Sequence, residues 1–238
     1  MEKENNRDIL NKIISKYDLE VKERNYLKKL INPIIIHPEF QRRMTKEFPH
    51  HGDISLGEHI IEDSIVTYKL AKLKNNIRMD LAIRIAMFHD LYTINWQNNK
   101  DAKVKHFFHK HGFRHPIEAV INAINWYPEY FSNYDEANII IDGIIHHMFP
   151  LPVLRVKDNA ESLELRNYPL YQKLSISYQN MIKDSLMRKR VGPISFSRSH
   201  YQEGRIMAKA DRLVSRKQIK DFESLKSLVT GHNKNLNK

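Results

Sequence analysis

The sequence predicts an all-α protein, and three observations carry that prediction. Only 7 glycines and 9 prolines are spread over 238 residues, which leaves little material for tight hairpins. No stretch sustains apolar and polar alternation between turn dipeptides. Isoleucine- and leucine-rich runs recur instead at helical spacing, so the chain reads as helices joined by short loops. The length suits one domain of ordinary core size, or a domain with an appendage. With no cysteine, disulfides, thiolate metal ligands and cysteine nucleophiles are all removed, and any metal must sit among nitrogen and oxygen ligands.

Taken in order, residues 1–36 form an N-terminal helical extension. Ile9, Leu10, Ile13, Ile14 and Tyr17, followed by Leu27 and Leu30, have the spacing of one or two amphipathic helices packed on a main body. His37 precedes Pro38, which pushes it out of helical geometry and suits a helix start better than a metal ligand. From Ile54 the positions Ile60, Ile61, Ile65, Tyr68, Ala71 and Leu73 mark a helix face, with Ser64 among them and His59 beside it near the helix start. His50 and His51, just upstream, either line a pocket mouth and hold phosphate or form a plain polar loop.

A helix over 80–90 buries Leu81, Ile85, Ala86 and Phe88 and ends in the adjacent pair His89-Asp90. Neighbouring helical residues point about 100° apart. One imidazole and one carboxylate can therefore meet the same ion only near a helix end, where that carboxylate can also bridge two ions; otherwise His89 only caps its helix. Residues 91–105 turn polar and read as a loop. His115-Pro116 then opens a helix carrying Ile117, Val120, Ile121 and Ile124, after His106, His109 and His111. A helix over 135–147 carries the stripe Ile139, Ile140, Ile141, Ile144 and Ile145 and ends in His146-His147. Residues 155–196 have a helical face of their own in Leu170, Leu174, Tyr178, Met181, Ile182 and Ser185.

The order His59, His89-Asp90, His115, His147 and Asp211 on successive helices resembles the HD-domain superfamily of metal-dependent phosphohydrolases. The blocks His37-Pro38-Glu39-Phe40-Gln41, His50-His51-Gly52, Phe88-His89-Asp90 followed by Trp96, His111-Gly112-Phe113-Arg114-His115-Pro116 and His147-Met148-Phe149-Pro150-Leu151 are similar to a group of bacterial HD-domain hydrolases. The likeness implies an HD-domain helical bundle over 37–228, with a helical insertion at 155–196 before the last metal-ligand helix, and a polar tail at 229–238. It implies His59, His89, Asp90 and Asp211 around one divalent ion and Asp90, His115 and His147 around a second, with Asp90 and His115 as catalytic residues. His146 is the alternative to His147, or a substrate contact, and His111 supports the site. The insertion departs from the group and could be a lid, a specificity element or an oligomer contact.

Charge adds to this picture. The net charge is +11, and residues 186–220 hold ten basic side chains against Glu203 and Asp211, so most of the excess surrounds the last expected ligand. Such a rim favours an anionic substrate through steering. No zinc finger, RNA-binding signature or aromatic strand platform is present, so a nucleotide or other small phosphoester ranks above a nucleic acid polymer. Arg114, Arg198 and Arg205 are candidate phosphate clamps, since a guanidinium can hold two phosphate oxygens. Mixed imidazole and carboxylate ligands suit Mn, Fe, Co, Ni or Zn. The expected activity is hydrolysis by metal-activated water. A mixed-valence di-iron oxygenase of the same fold, or a non-catalytic module that binds a nucleotide or protein, are the other readings. No apolar run is long enough to cross a bilayer and no signal peptide is expected at the N-terminus, which points to a cytoplasmic protein without a membrane partner. Oligomeric state is left open.

Overall fold

The computed structural model describes residues 6–50, 54–93, 111–151, 153–154, 165, 168, 170–188 and 194–216. The fold is all-α. In chain order the helices are α1 (Asn6–Ser15), α2 (Val21–Ile35), α3 (Pro38–Arg43), α4 (Leu56–Ala71), α5 (Met79–Phe88), α6 (His111–Trp126), α7 (Tyr134–Ile145), α8 (Ile176–Met187) and α9 (Gln202–Ser215). Single 3-10 turns lie at Pro128–Phe131 and Tyr171–Lys173. Among the described residues no helix is long and apolar enough to cross a membrane.

The centre of the bundle is α4, whose start is fixed locally. The Ser55 hydroxyl accepts from the Glu58 amide at 3.3 Å while the Glu58 carboxylate accepts from the Ser55 amide at 2.9 Å, a reciprocal cap worth roughly 1 kcal/mol. From there α4 is buried nearly all round, against α5 and α9 along most of its length and against α1 and α3 at its margins. Such a helix would normally be apolar throughout. This one also buries His59, Asp63, Ser64 and Thr67, so a polar stripe runs through the middle of the core.

The N-terminal helices share that core: Leu10, Ile13 and Ile14 of α1 and Leu27, Ile31, Ile34 and Ile35 of α2 lie in one apolar cluster with α4, α5, α6 and α7. His37 caps α3, its Nδ1 accepting from the Glu39 amide at 3.2 Å, with Pro38 as the first helical residue. The helix containing His115 differs from expectation. It is already formed at His111, so Pro116 lies inside it. As the sixth residue of the helix, Pro116 supplies no amide to the Gly112 carbonyl four residues earlier.

A short strand pair joins the two ends of the stretch over 155–196. Val153–Leu154 (β1) and Ile194–Ser195 (β2) pair antiparallel, with Val153 opposite Ser195 and Leu154 opposite Ile194. Between them Leu165, Tyr168, Tyr171, Leu174, Met181, Ile182 and Leu186 join the main apolar cluster. The expected continuous face from Leu170 to Ser185 is broken because Ser175 caps α8, its hydroxyl accepting from the Tyr178 amide, and leaves Tyr171–Lys173 as a separate turn.

Glycines let α7 approach α9 and α5 closely. A Cβ on Gly204 would lie 2.7 Å from the Gly143 Cα, and one on Gly143 would lie 2.6 Å from the Ile85 side chain. Backbone at this distance cannot give way as a flexible side chain can. Gly204→Ala is therefore expected to lower stability by about 1–3 kcal/mol. Gly112→Ala in α6, where a Cβ meets nothing within 4 Å, should be neutral or stabilising by up to ~1 kcal/mol. Urea unfolding midpoints of the two variants check the contrast.

Candidate metal centre

Helix α5 ends at Phe88, with His89 as its C-terminal cap and Asp90 beyond it. The adjacent pair thus lies where the backbone departs from the helix and lets both side chains turn to one side. The chain that follows is held by two neighbouring helices. The Asn122 side-chain amide on α6 donates to the Leu91 carbonyl at 2.6 Å, the Arg43 guanidinium on α3 donates to the Tyr92 carbonyl, and the Thr93 amide donates to the Glu118 carboxylate at 2.8 Å. Arg43 is fully buried, with its guanidinium against the rings of Phe48 and Trp126 and donating also to Glu39.

Five helices deliver the candidate ligands to one place. His59 Nε2 lies 3.0 Å from Asp63 Oδ2, 3.5 Å from Asp211 Oδ1 and 4.0 Å from Asp90 Oδ2. His89 Nε2 lies 3.3 Å from Asp63 Oδ2 and 3.7 Å from Asp90 Oδ2. The other Asp90 oxygen, Oδ1, faces His115 Nε2 at 3.2 Å and His147 Nε2 at 3.8 Å. The two oxygens of Asp90 therefore look toward two adjacent groups of donors. All six ligands expected from the sequence are brought together, and Asp63 joins them: His59, Asp63, His89 and Asp211 offer donor atoms close enough for one ion.

The histidine tautomers follow from the backbone. His89 Nδ1 lies 2.7 Å from the Ala86 carbonyl, His115 Nδ1 3.0 Å from the His111 carbonyl and His147 Nδ1 2.7 Å from the Ile144 carbonyl. A carbonyl oxygen can only accept, so each Nδ1 carries hydrogen and each Nε2 presents a lone pair to the centre, the arrangement of a metal-binding imidazole. His115 Nε2 and His147 Nε2 lie 2.9 Å apart. Two lone pairs at that distance repel unless a proton or a cation lies between them. Burial lowers both pKa values, but Asp90 outweighs it at His115, which is raised, whereas burial and the neighbouring imidazoles take His147 down to about 3. In the metal-free site the proton belongs to His115.

Three carboxylates share this buried space. Burial pushes the Asp63 carboxyl up to about 6 against the opposing pull of His59 and His89. At Asp90 burial raises the pKa but His89, His115 and His147 outweigh it and hold it well below the usual range; Asp211 is lowered by His59, His89 and His147 against the same burial. At His59 burial opposes protonation, yet Asp63 and Asp211 prevail and raise it well above its ordinary value. Asp63 Oδ1 and His89 Nε2 make no hydrogen bond among the described residues. This is a mixed nitrogen and oxygen donor set with inward lone pairs and excess buried negative charge, and a divalent transition-metal ion fits it.

A cavity of about 410 Å³ opens on the centre, lined by Asp90, His115, His147 and Asp211 at its polar part. His50 and His111 also line it; the His50 ring stacks on His59 with centroids 3.8 Å apart, and His111 stacks on His115 at 4.9 Å. Burial lowers the His111 pKa to about 3. His51, His106 and His109 lie outside the described residues. His146 is not brought to the centre. It is buried the other way, with Nδ1 2.9 Å from the Ser197 carbonyl and Nε2 3.2 Å from the Ser185 carbonyl, beside an Asp142 carboxylate that also takes Arg188, the Ser199 hydroxyl and the His200 amide. The ~100° step between successive residues at a helix end separates it from His147.

The expected arginine clamps do not line the cavity either. Arg114 lies over the Tyr168 ring, Arg205 donates to the carbonyls of Ser199 and His200, and Arg198 is exposed. The arginine that does line it is Arg212, next to Asp211 on α9, its Nη1 donating to the Phe149 carbonyl at 2.7 Å. Asp63 and Arg212 were both missed in the sequence. The spacing of His59 and Asp63, four residues apart on one helical face, is the signal that could have found the first.

Replacing Arg43 by Met would leave the Tyr92 carbonyl unsatisfied in the core. A loss of about 2–4 kcal/mol is expected, with weaker metal uptake; Arg43→Lys should not restore either, since an ammonium lacks the planar fork. Denaturant titration and metal titration check both. Metal must also displace protons held by Asp63 up to about pH 6 and by His59 above its ordinary value. Uptake should therefore release protons and strengthen as pH rises from 5 to 8. Because Asp63 binds its proton more tightly folded than unfolded, its contribution to metal-free stability is lost as pH climbs through about 6, and the stability gap between metal-loaded and metal-free protein should widen. Calorimetry in buffers of differing ionisation enthalpy, with melting curves across that range, checks the sign. No family model, curated protein or solved structure matches the chain.

Proposed function

We propose that the chain is an HD-domain metal-dependent phosphohydrolase acting on a small phosphoester. The observation that carries this reading is the convergence of His59, Asp63, His89, Asp90, His115, His147 and Asp211, with the two Asp90 oxygens directed to adjacent donor groups. His59, Asp63, His89 and Asp211 would hold one divalent ion, and Asp90, His115 and His147 would hold a second. A bound ion of this kind polarises a phosphoryl oxygen and lowers the pKa of its water from about 15.7 toward ~7.

The chain's own residues supply the rest. Asp90 orients both donor groups, while the carbonyls of Ala86, His111 and Ile144 keep three imidazoles in the tautomer that points Nε2 inward. Arg212 and Ser215 line the cavity where an anion would lie, the guanidinium offering parallel donors to phosphate oxygens. When His115 is not a ligand, its Nε2 holds a proton beside the cavity and can pass it to a leaving oxygen.

Metal analysis of protein purified without chelator, followed by a phosphodiester and nucleotide panel with Mn, Fe, Co, Ni and Zn, tests the reading. Stoichiometric metal and phosphate release are expected. Asp90→Ala should lower turnover by about a thousandfold or more, in the range expected when groups stabilising transition-state charge are lost, while helical circular dichroism is retained. Unchanged metal content in His89→Ala and Asp90→Ala would overturn the reading. Iron-dependent oxygen uptake without phosphate release would replace it with an oxygenase.

A further inference from the structure

The cavity beside the metal centre has a second character that hydrolysis alone does not require. Met148, Phe149, Pro150 and Leu151 follow His147 directly and form an apolar wall, with the Tyr92 and His111 rings also facing the cavity. Met148 and Phe149 are half-buried, Pro150 is exposed and Leu151 is 39% exposed, so this apolar surface is open beside a cluster of charged groups. Open apolar surface next to convergent polar groups is the pattern of a ligand site. Arg212 links the two regions: its Nη1 binds the Phe149 carbonyl, and its side chain lies next to Asp211 at the cavity. Among the described lining residues it is the one cationic side chain that is always charged.

We propose that the substrate is a phosphate ester with one phosphoryl group joined to a flat, apolar organic group, which rests on the Met148–Leu151 wall while the phosphoryl group lies beside Asp90, Asp211 and Arg212. This rests on the phosphohydrolase reading above and adds the substrate class. A polyphosphate chain would carry more negative charge than one guanidinium and the ion centre could match, and it would gain nothing from Phe149 and Leu151. A volume of about 410 Å³ accommodates a phosphoryl group with a ring system of one or two rings.

Isothermal titration of the full chain loaded with Mn tests the wall without turnover. The probes are inorganic phosphate, methylphosphonate and 1-naphthylphosphonate, which share the anionic head and differ in apolar area. Naphthylphosphonate should bind about tenfold or more tightly than methylphosphonate. Leu151→Ser, at an exposed position, and Phe149→Ser should each shrink that ratio at unchanged metal stoichiometry, and the Leu151 variant decides if the Phe149 variant does not fold. Equal binding of the two phosphonates by the unaltered chain would overturn the inference and leave the phosphohydrolase reading intact, as would a ratio unaffected by Leu151→Ser. Metal-loaded protein that binds neither phosphate nor either phosphonate would overturn both.

Discussion

Three carboxylates, Asp63, Asp90 and Asp211, lie within the helical core against the inward nitrogens of His59, His89, His115 and His147, and this concentration of buried charge governs the rest of the molecule. Removing a carboxylate from water costs several kcal/mol even after relaxation. The chain meets that cost in part by protonation, visible in the raised Asp63 and His59, and in part by ion pairing at Asp90 and Asp211. Those responses oppose one another within a few ångströms. Divalent cations could satisfy these groups together, and the cluster is compatible with a metal centre.

Holding that cluster requires five helices to converge without freedom to slide. The Gly143 and Gly204 contact sets how closely α7 approaches α9, and so how near His147 comes to Asp211. On the other side, Arg43, Asn122 and Glu118 grip three successive residues after Asp90, so the exit from α5 is supported by α3 and α6. The stretch between β1 and β2 adds a further brace. Its helix α8 meets α7 through Arg188, Ser185, Asp142 and His146, a buried polar group one residue removed from His147. The segment expected as a possible lid thus also serves as packing for the helix that ends at the site.

The division between legible and hidden features follows the range of the interactions concerned. Helical periodicity, scarce glycine and proline and the position of His89-Asp90 at a helix end are local, and local spacing displays them. His50 could be read as pocket or as loop because nothing nearby in sequence shows the ring stacking on His59. Local spacing does not distinguish His146 from His147 for the same reason: both end one helix, and only the packing of α8 and of Ser197 draws the first away. Charge and nearness in sequence point to Arg114, Arg198 and Arg205, yet which guanidinium reaches a cavity depends on how α9 rotates against α7, which places Arg212 there.

What the sequence by itself determined, then, is an all-α chain with a set of histidines and acids spaced for helix ends and helix faces, because those features repeat every few residues along one element. What only the tertiary structure decided is that Asp63 belongs to the cluster, that Asp90 turns its two oxygens to two donor groups, that His146 turns away from the cluster toward Ser185 and Ser197, and that an apolar wall and Arg212 border the same cavity. Each of these depends on the rotation and spacing of helices far apart in sequence. Such relations are set by the packing of the whole core and the demands of buried charge, which no single segment records.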